Sequence, residues 1–203
     1  MKPKFSNLFF VAALGLLAGC AVKPKMLSTH YATPQILAVL PLSNQSTDID
    51  APGYIRQEFI KHLSHRGYQI QDTARTDEIL KSKFGVNEGG QLNSTTPQKL
   101  CKGLGVDAVV YGEIEDFKYL NVGFYTNKSV AATFKMINGN GEQLWEDQRK
   151  ASRKQVALSM DDAKRKLAAG LVDKIVGKML KVPLYEEVQR VVRVAVSTLP
   201  RAK

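Results

Sequence analysis

Cysteine, histidine and acidic residues are all scarce in this chain, and each scarcity excludes a class of chemistry. Two cysteines in 203 residues cannot build a disulfide framework. Of the 3 histidines, His62 and His65 stand three apart, a helical spacing that can present two imidazoles to one metal, but His30 is remote and no third ligand accompanies them. Solvated helix histidines account for the pair, and the pattern argues against a conventional zinc centre. No G-x-S-x-G elbow is present to sharpen a serine into a nucleophile. Leu42-Ser43-Asn44-Gln45 lacks a glycine-rich phosphate cradle, and Pro52-Gly53 alone does not supply one. No apolar run is long enough to cross a bilayer: about 20 residues are needed, and the stretch from Leu8 to Val22 stops at Lys23-Pro24.

What the chain does have begins at its first residues. Lys2 and Lys4 precede an apolar run from Leu8 to Leu17, the length and polarity order of a secretory signal. Leu17-Ala18-Gly19-Cys20 then matches the bacterial lipobox, in which the cysteine sulfur takes a diacylglyceryl group and becomes the new N-terminus. Each buried CH₂ adds about 0.8 kcal/mol, so the several acyl chains of such an anchor make release very slow. Ala21 rather than aspartate follows the cysteine, which by analogy with enterobacterial sorting favours the outer membrane. The expected organisation is a lipoprotein signal over 1–19, a tether over 20–34, an α/β domain over 35–182 and a C-terminal helix over 183–203.

Acid is outnumbered, 19 Asp and Glu against 29 Lys and Arg, for a net charge of +10. Removing residues 1–19 takes two lysines, giving +10 − 2 = +8 over 184 residues, enough for one well-filled domain. The basic surplus favours an anionic neighbour, which for an exported lipoprotein means lipid headgroups or acidic protein rather than nucleic acid. The aromatic interleaving of a single-strand nucleic-acid groove is absent. With Cys20 acylated, Cys101 is the remaining thiol, reading as a half-buried small hydrophobe between lysines.

Hydrophobic periodicity gives the elements. Ile36 to Leu40 reads as a strand buried on both faces, followed by a polar loop containing Asn44, Ser46, Thr47, Asp48 and Asp50. Ile55, Phe59, Ile60 and Leu63 share a helix face, with Arg56, Glu58, Lys61 and His62 mainly outside it. A short strand follows at Tyr68-Gln69-Ile70, then a helix capped by Thr76, then a helix starting at Thr95 or Thr96 with Pro97 in its first turn. Ala108 to Gly112 reads as the next buried strand. Ser129 to Ile137 alternates, with Val130, Ala132, Phe134 and Met136 on one side and Thr133 and Lys135 on the other. Asn138-Gly139-Asn140-Gly141 turns the chain back as a hairpin. Two amphipathic helices end the chain, one over Ala163 to Met179 and one carrying Leu184, Val188, Val191, Val192, Ala195 and Leu199. The expected fold is a two- or three-layer α/β sandwich with a mixed sheet, an antiparallel hairpin at one edge and amphipathic C-terminal helices.

Candidate functional residues are polar loops and surfaces rather than a reaction centre, and no catalytic residue, metal or cofactor is expected. Asn44, Ser46 and Asp48 sit at the carboxyl end of the first strand, where open α/β sheets bind ligands. Glu113 and Glu115 point the same way if their strand continues, giving a carboxylate pair or the edge of a sheet leaving the core. Arg149, Lys150, Arg153 and Lys154 form the densest basic patch, a solvated face or a surface for an anionic partner. The β-branched stripe Val188, Val191, Val192 and Ala195 packs on the domain or on a partner.

The lipobox, Ile36-Leu37-Ala38-Val39-Leu40-Pro41 followed by Asn44, the Thr96-Pro97-Gln98 helix start, and Gly105 through Ile114 together resemble a Gram-negative lipoprotein family of unknown function represented by a meningococcal vaccine-candidate lipoprotein. The resemblance runs from about Ile36 to Met179. It implies a fold akin to the N-terminal domain of TolB and to the periplasmic domain of the curli-secretion lipoprotein CsgG, frequent company with a CsgG-like lipoprotein, and no established enzyme activity or residue-level active site. The expected function is a structural, assembly or secretion-accessory lipoprotein on the periplasmic side of the outer membrane, acting through envelope proteins or copies of itself. A solute- or glycan-binding module is the alternative.

Overall fold

The computed structural model describes residues 23–122, 124–157 and 184–202, with positions 161, 162, 164, 165, 168 and 171 between them. Leu17, Ala18, Gly19 and Cys20 lie outside the described residues, as does most of the helix expected over Ala163 to Met179.

Seven strands form one mixed sheet: β1 (Met26–Leu27), β2 (Ile36–Val39), β3 (Ser43–Asn44), β4 (Gln69–Ile70), β5 (Ala108–Val122), β6 (Tyr125–Asn138) and β7 (Gln143–Val156), in the order β1-β7-β6-β5-β2-β4, with β3 also pairing β5. β2, β3 and β4 enter it in parallel; β5, β6, β7 and β1 pair antiparallel. Among the described residues, the α-helices with defined bounds are α1 (Ala51–Ser64), α2 (Thr73–Phe84), α3 (Pro97–Leu104) and α4 (Tyr185–Ser197).

The layered sandwich expected from the element order is not what forms. The sheet curls strongly into a half-barrel. β5, β6 and β7 are 15, 14 and 14 residues long, and twist accumulates with strand length. Two register shifts, between Ile114 and Asp116 on β5 and between Met136 and Ile137 on β6, add local bend. Gly112 permits close packing at the curl: a Cβ there would lie 2.5 Å from Leu42 Cδ2 and 3.2 Å from Phe134 Cδ1.

The two faces of the sheet are covered unequally. On one, α1 and α4 close over Val110, Ile114, Phe134 and Trp145 in the larger core, where the Phe59 and Phe134 rings stack with centroids 4.4 Å apart. On the other, α2 and α3 cover Ala38, Leu40 and Val109 near the start of β5, through Leu80, Leu100 and Leu104. The outer halves of β5, β6 and β7 run on beyond this second core as a three-stranded arm.

Local sequence explains the helix ends. Asp48 Oδ1 accepts from the Asp50 and Ala51 N–H groups, both at 3.0 Å, ahead of Pro52 in the first turn of α1. Asp72, not Thr76, caps α2 by accepting from Arg75 N–H, while Thr76 is fully buried with its hydroxyl 2.8 Å from the Asp72 carbonyl. Thr96 caps α3, and Gly105 closes it at φ 71°. Arg56, placed outside the apolar face by periodicity, is buried: its guanidinium donates to the Val39 carbonyl from Nε at 3.0 Å and Nη2 at 2.7 Å, and to both Asp77 carboxylate oxygens. It joins β2, α1 and α2 at one point.

The segment leading into the domain is fastened to it. Met26 and Leu27 pair with Glu146 and Trp145, Ser28 N–H donates to the Leu144 carbonyl, and Lys25 Nζ lies 2.8 Å from Glu146 Oε1. Arg149 Nη2 donates to the Lys23 carbonyl at 2.8 Å.

Candidate functional site

Where β3 runs beside β5, the loop after β2 is built by its own polar groups. Asn44 Oδ1 accepts from Ser46 N–H at 3.0 Å and from Ser46 Oγ at 2.7 Å, and Asn44 Nδ2 donates to the Asp48 carbonyl at 2.8 Å. Ser46 therefore shapes the loop, and Asp48 ties it to the backbone N–H groups at the start of α1.

Beside this loop lies a cavity of about 390 Å³, lined among others by Asn44, Gln45, Tyr111, Glu113, Thr133 and Lys135, with Gly89 and Gly90 at its wall. Gly89 is required there, because a Cβ would fall 2.2 Å from the Leu42 carbonyl carbon. Burial pushes the Tyr111 phenol up to about 12, so it is a neutral donor at physiological pH. Of the sequence candidates, the cavity brings together Asn44 and Glu113 and leaves out Ser46, Asp48 and Glu115.

Tyr111, Glu113 and Glu115 alternate with the buried Val110, Gly112 and Ile114 along β5. Glu113 and Glu115 thus share a face, but each has its own partners. Gln45 Nε2 donates to Glu113 Oε1. Glu115 stands at the β5 bulge, where Thr133 Oγ1 donates to it and Gln148 Nε2 lies 2.7 and 2.9 Å from its two oxygens. The arrangement is a row of acid–amide contacts rather than two carboxylates sharing a proton. Periodicity placed Thr133 and Lys135 on this side of β6; Gln148 carried no signal of its own.

Strand alternation divides the basic patch. Arg149 and Arg153 fall on the α4 face, Lys150 and Lys154 on the other. Arg149 Nε lies 2.6 Å from Asp147 Oδ1, Arg153 pairs with Glu186 and lies 3.8 Å from Glu187, and Lys150 lies 3.9 Å from Asp116.

Val188, Val191, Val192 and Ala195 are buried in the larger core, so their stripe is covered by the domain itself. Trp145 Nε1 donates to Thr198 Oγ1 at 3.0 Å, and that hydroxyl lies 2.7 Å from Asp147 Oδ2. Leu184 enters α4 in the left-handed region at φ 53°, a conformation that strains a leucine and that core burial of the helix holds in place. Cys101 is buried, and burial, with Asp107 nearby, pushes its thiol up to about 11. His62 Nε2 lies 2.9 Å from Gln189 Oε1 on α4, which gives it a packing role. Among the described residues, no group of three or more His, Cys, Asp or Glu side chains comes together to hold a metal ion.

The fold and site define a curled α/β domain whose polar residues mostly hold its own loops and helices. The chain belongs to the family described as "Putative lipoprotein GNA1162-like", which matches residues 27–198. It is 26% identical over 150 residues to the protein of Neisseria meningitidis serogroup B described as "Putative lipoprotein NMB1124/NMB1162", covering 71% of this chain and 68% of that protein. The crystal structure of lipoprotein GNA1162 from Neisseria meningitidis superposes with a TM-score of 0.55 at 21% identity, over 71% of this chain and 99% of that one. A PelC dodecamer from Paraburkholderia phytofirmans superposes with a TM-score of 0.51 at 14% identity, over 88% of this chain and 95% of that one. At these identities the two structures share the fold with this chain.

Proposed function

We propose that this chain is an assembly lipoprotein of the outer membrane with a periplasmic domain, anchored through acylated Cys20 and binding envelope proteins through the polar face of β5, β6 and β7 that, among the described residues, α2 and α3 leave open. The observation that carries the reading is the row Glu113, Glu115, Lys135 and Gln148, set on a sheet face that α2 and α3 cover only near the start of β5. Such a charged and amide-bearing face suits a wet, specific protein contact. The sheet edges are poor alternatives: β1 and β4 are each two residues long, and short edge strands give strand addition little to pair with.

A second copy of the chain is the first partner this face is expected to take, and the dodecamer formed by PelC, which shares the fold, supports self-assembly. A CsgG-like lipoprotein, implied by the family resemblance, is the second. A photo-crosslinking amino acid at Gln148 in the intact acylated chain, in its native membrane, should trap one or both. The same probe at Lys81 on α2 should not. Crosslinks of equal yield at both positions, or none at Gln148, would reject the face as the contact surface.

The cavity beside β3 supports a second reading, a solute- or glycan-binding module, because Asn44, Gln45, Thr133 and Lys135 converge there. Thermal-shift screening against peptidoglycan fragments separates the two: reproducible stabilisation by one ligand class, lost in Glu113→Ala, favours the module.

A further inference from the structure

Beyond residue 117, the arm of β5, β6 and β7 changes character. The stretches 117–134 and 148–157 contain Lys118, Lys128, Arg149, Lys150, Arg153 and Lys154 and no aspartate or glutamate. The same arm exposes large apolar side chains at its tip: Val122 is 58% exposed, Phe124 55% and Val156 53%, with Tyr119 and Leu120 beside them. Apolar and aromatic residues flanked by lysine are the composition of a surface that lies in a membrane interface.

The N-terminal segment runs along β7 toward that arm. β1 pairs antiparallel with β7, so the chain preceding Met26 runs toward the C-terminal, outer half of β7, and Arg149 holds the Lys23 carbonyl there. Only Ala21 and Val22 separate Lys23 from Cys20, three Cα-to-Cα steps that reach about 10 Å when fully extended. From Arg149 to Val156 the arm continues for about 24 Å at strand rise. An acyl group on Cys20 therefore fixes the bilayer surface closer to Arg149 than the arm is long. The arm then either lies along the membrane or points away from it, and its basic, apolar tip favours the first.

We infer that the tip of the β5–β6–β7 arm, around Val122, Phe124 and Val156, inserts into the headgroup region of an anionic phospholipid surface beside the acyl anchor. The inference rests on acylation at Cys20, the anchor proposed above. The arm sets the orientation of the domain: with its tip in the interface and Lys118 and Lys154 over anionic headgroups, the row Glu113, Glu115 and Gln148 is held at a fixed height above the bilayer.

The test uses the full acylated chain in vesicles of phosphatidylethanolamine and phosphatidylglycerol, with a polarity-sensitive fluorophore on Phe124→Cys and, as control, on Asn140→Cys at the far turn between β6 and β7. Buried Cys101 is shielded from the label. Trp145 emission checks that each variant is folded. The label at 124 should shift to the blue and lose most of its intensity to lipids spin-labelled near the headgroup, while the label at 140 stays wet and unquenched. Adding Lys118→Glu and Lys154→Glu should reduce quenching at 124. A chain that fails to float with the vesicles removes the anchor and the inference with it. A chain that floats with label 124 as wet as label 140 overturns the arm's insertion and leaves the anchor standing.

Discussion

Trp145 donates its indole N–H to Thr198 over 3.0 Å, so the chain's single tryptophan reports directly on whether α4 is docked. The acceptor hydroxyl also touches Asp147, which Arg149 holds in place. Thr198→Val removes the acceptor while keeping the shape. Leaving a buried indole N–H unpaired costs about 1–3 kcal/mol, so the urea midpoint followed by Trp145 fluorescence should fall. An unchanged midpoint would mean that this bond adds nothing to docking.

Deleting residues 184–203 tests α4 as a whole. The helix brings Val188, Val191, Val192 and Ala195 into the core that holds Phe59 and Trp145. Each of these residues is worth a large fraction of a domain's marginal stability. The truncated chain should lose its cooperative unfolding transition and show red-shifted Trp145 emission. A truncated domain that still melts cooperatively, with Trp145 buried, would make α4 an accessory.

Arg56 is a rivet between β2, α1 and α2. Arg56→Met keeps the apolar stem but leaves the Val39 carbonyl without its two donors and Asp77 without its partner. Asp77 is partly solvated, its side chain 47% exposed, so much of the lost pairing is recovered by water. The buried carbonyl is the larger loss, and destabilisation of about 2 kcal/mol is expected in chemical denaturation. Arg56→Lys should rescue little of it, since an ammonium cannot reach carbonyl and carboxylate as a planar fork does. Full rescue by lysine would show that charge alone matters.

The Lys25–Glu146 contact that fastens the N-terminal segment is pH-dependent in a definite sense. The hydrogen bond from Lys25 holds the Glu146 carboxyl below its usual range, and the same bond raises the Lys25 ammonium above its own. Glu146 therefore contributes stability above the unfolded carboxylate pKa and loses it as pH falls through the depressed folded value. Lys25 contributes below the ordinary ammonium pKa and loses it as pH rises through the raised one. The β1–β7 pairing should be firm between those limits and open in acid. An NMR titration of Glu146 that shows an ordinary carboxyl pKa, unchanged by Lys25→Met, would refute the latch.

The local chemistry of these elements was legible in the sequence. Thr96 before Pro97, the Asn138 to Gly141 turn and the alternation through Val130, Ala132, Phe134 and Met136 each declare a conformation within a few residues. What pairs across long separations was not legible. A bulge at Glu115 adds to the bend of the sheet, and nothing in Gly112-Glu113-Ile114-Glu115-Asp116 marks where the register slips. Arg56 reads as solvent-facing because its partners, Val39 and Asp77, are 17 and 21 residues away. Met26 and Leu27 show no period, since a two-residue strand is too short to have one. The basic cluster at 149–154 looks like one patch in sequence, yet alternation along β7 splits it between two faces. The stripe on α4 announced that something covers it but not what; the Trp145–Thr198–Asp147 contacts identify the domain itself.

The anchor is tested most directly by the mass of the N-terminal peptide of the chain purified from its native membrane. The expected peptide begins at Cys20 and carries a diacylglyceryl group on its sulfur, so that only Ala21 and Val22 lie between the anchor and Lys23. A peptide that retains Met1, or one that begins after a cleaved signal with Cys20 unmodified, would contradict it.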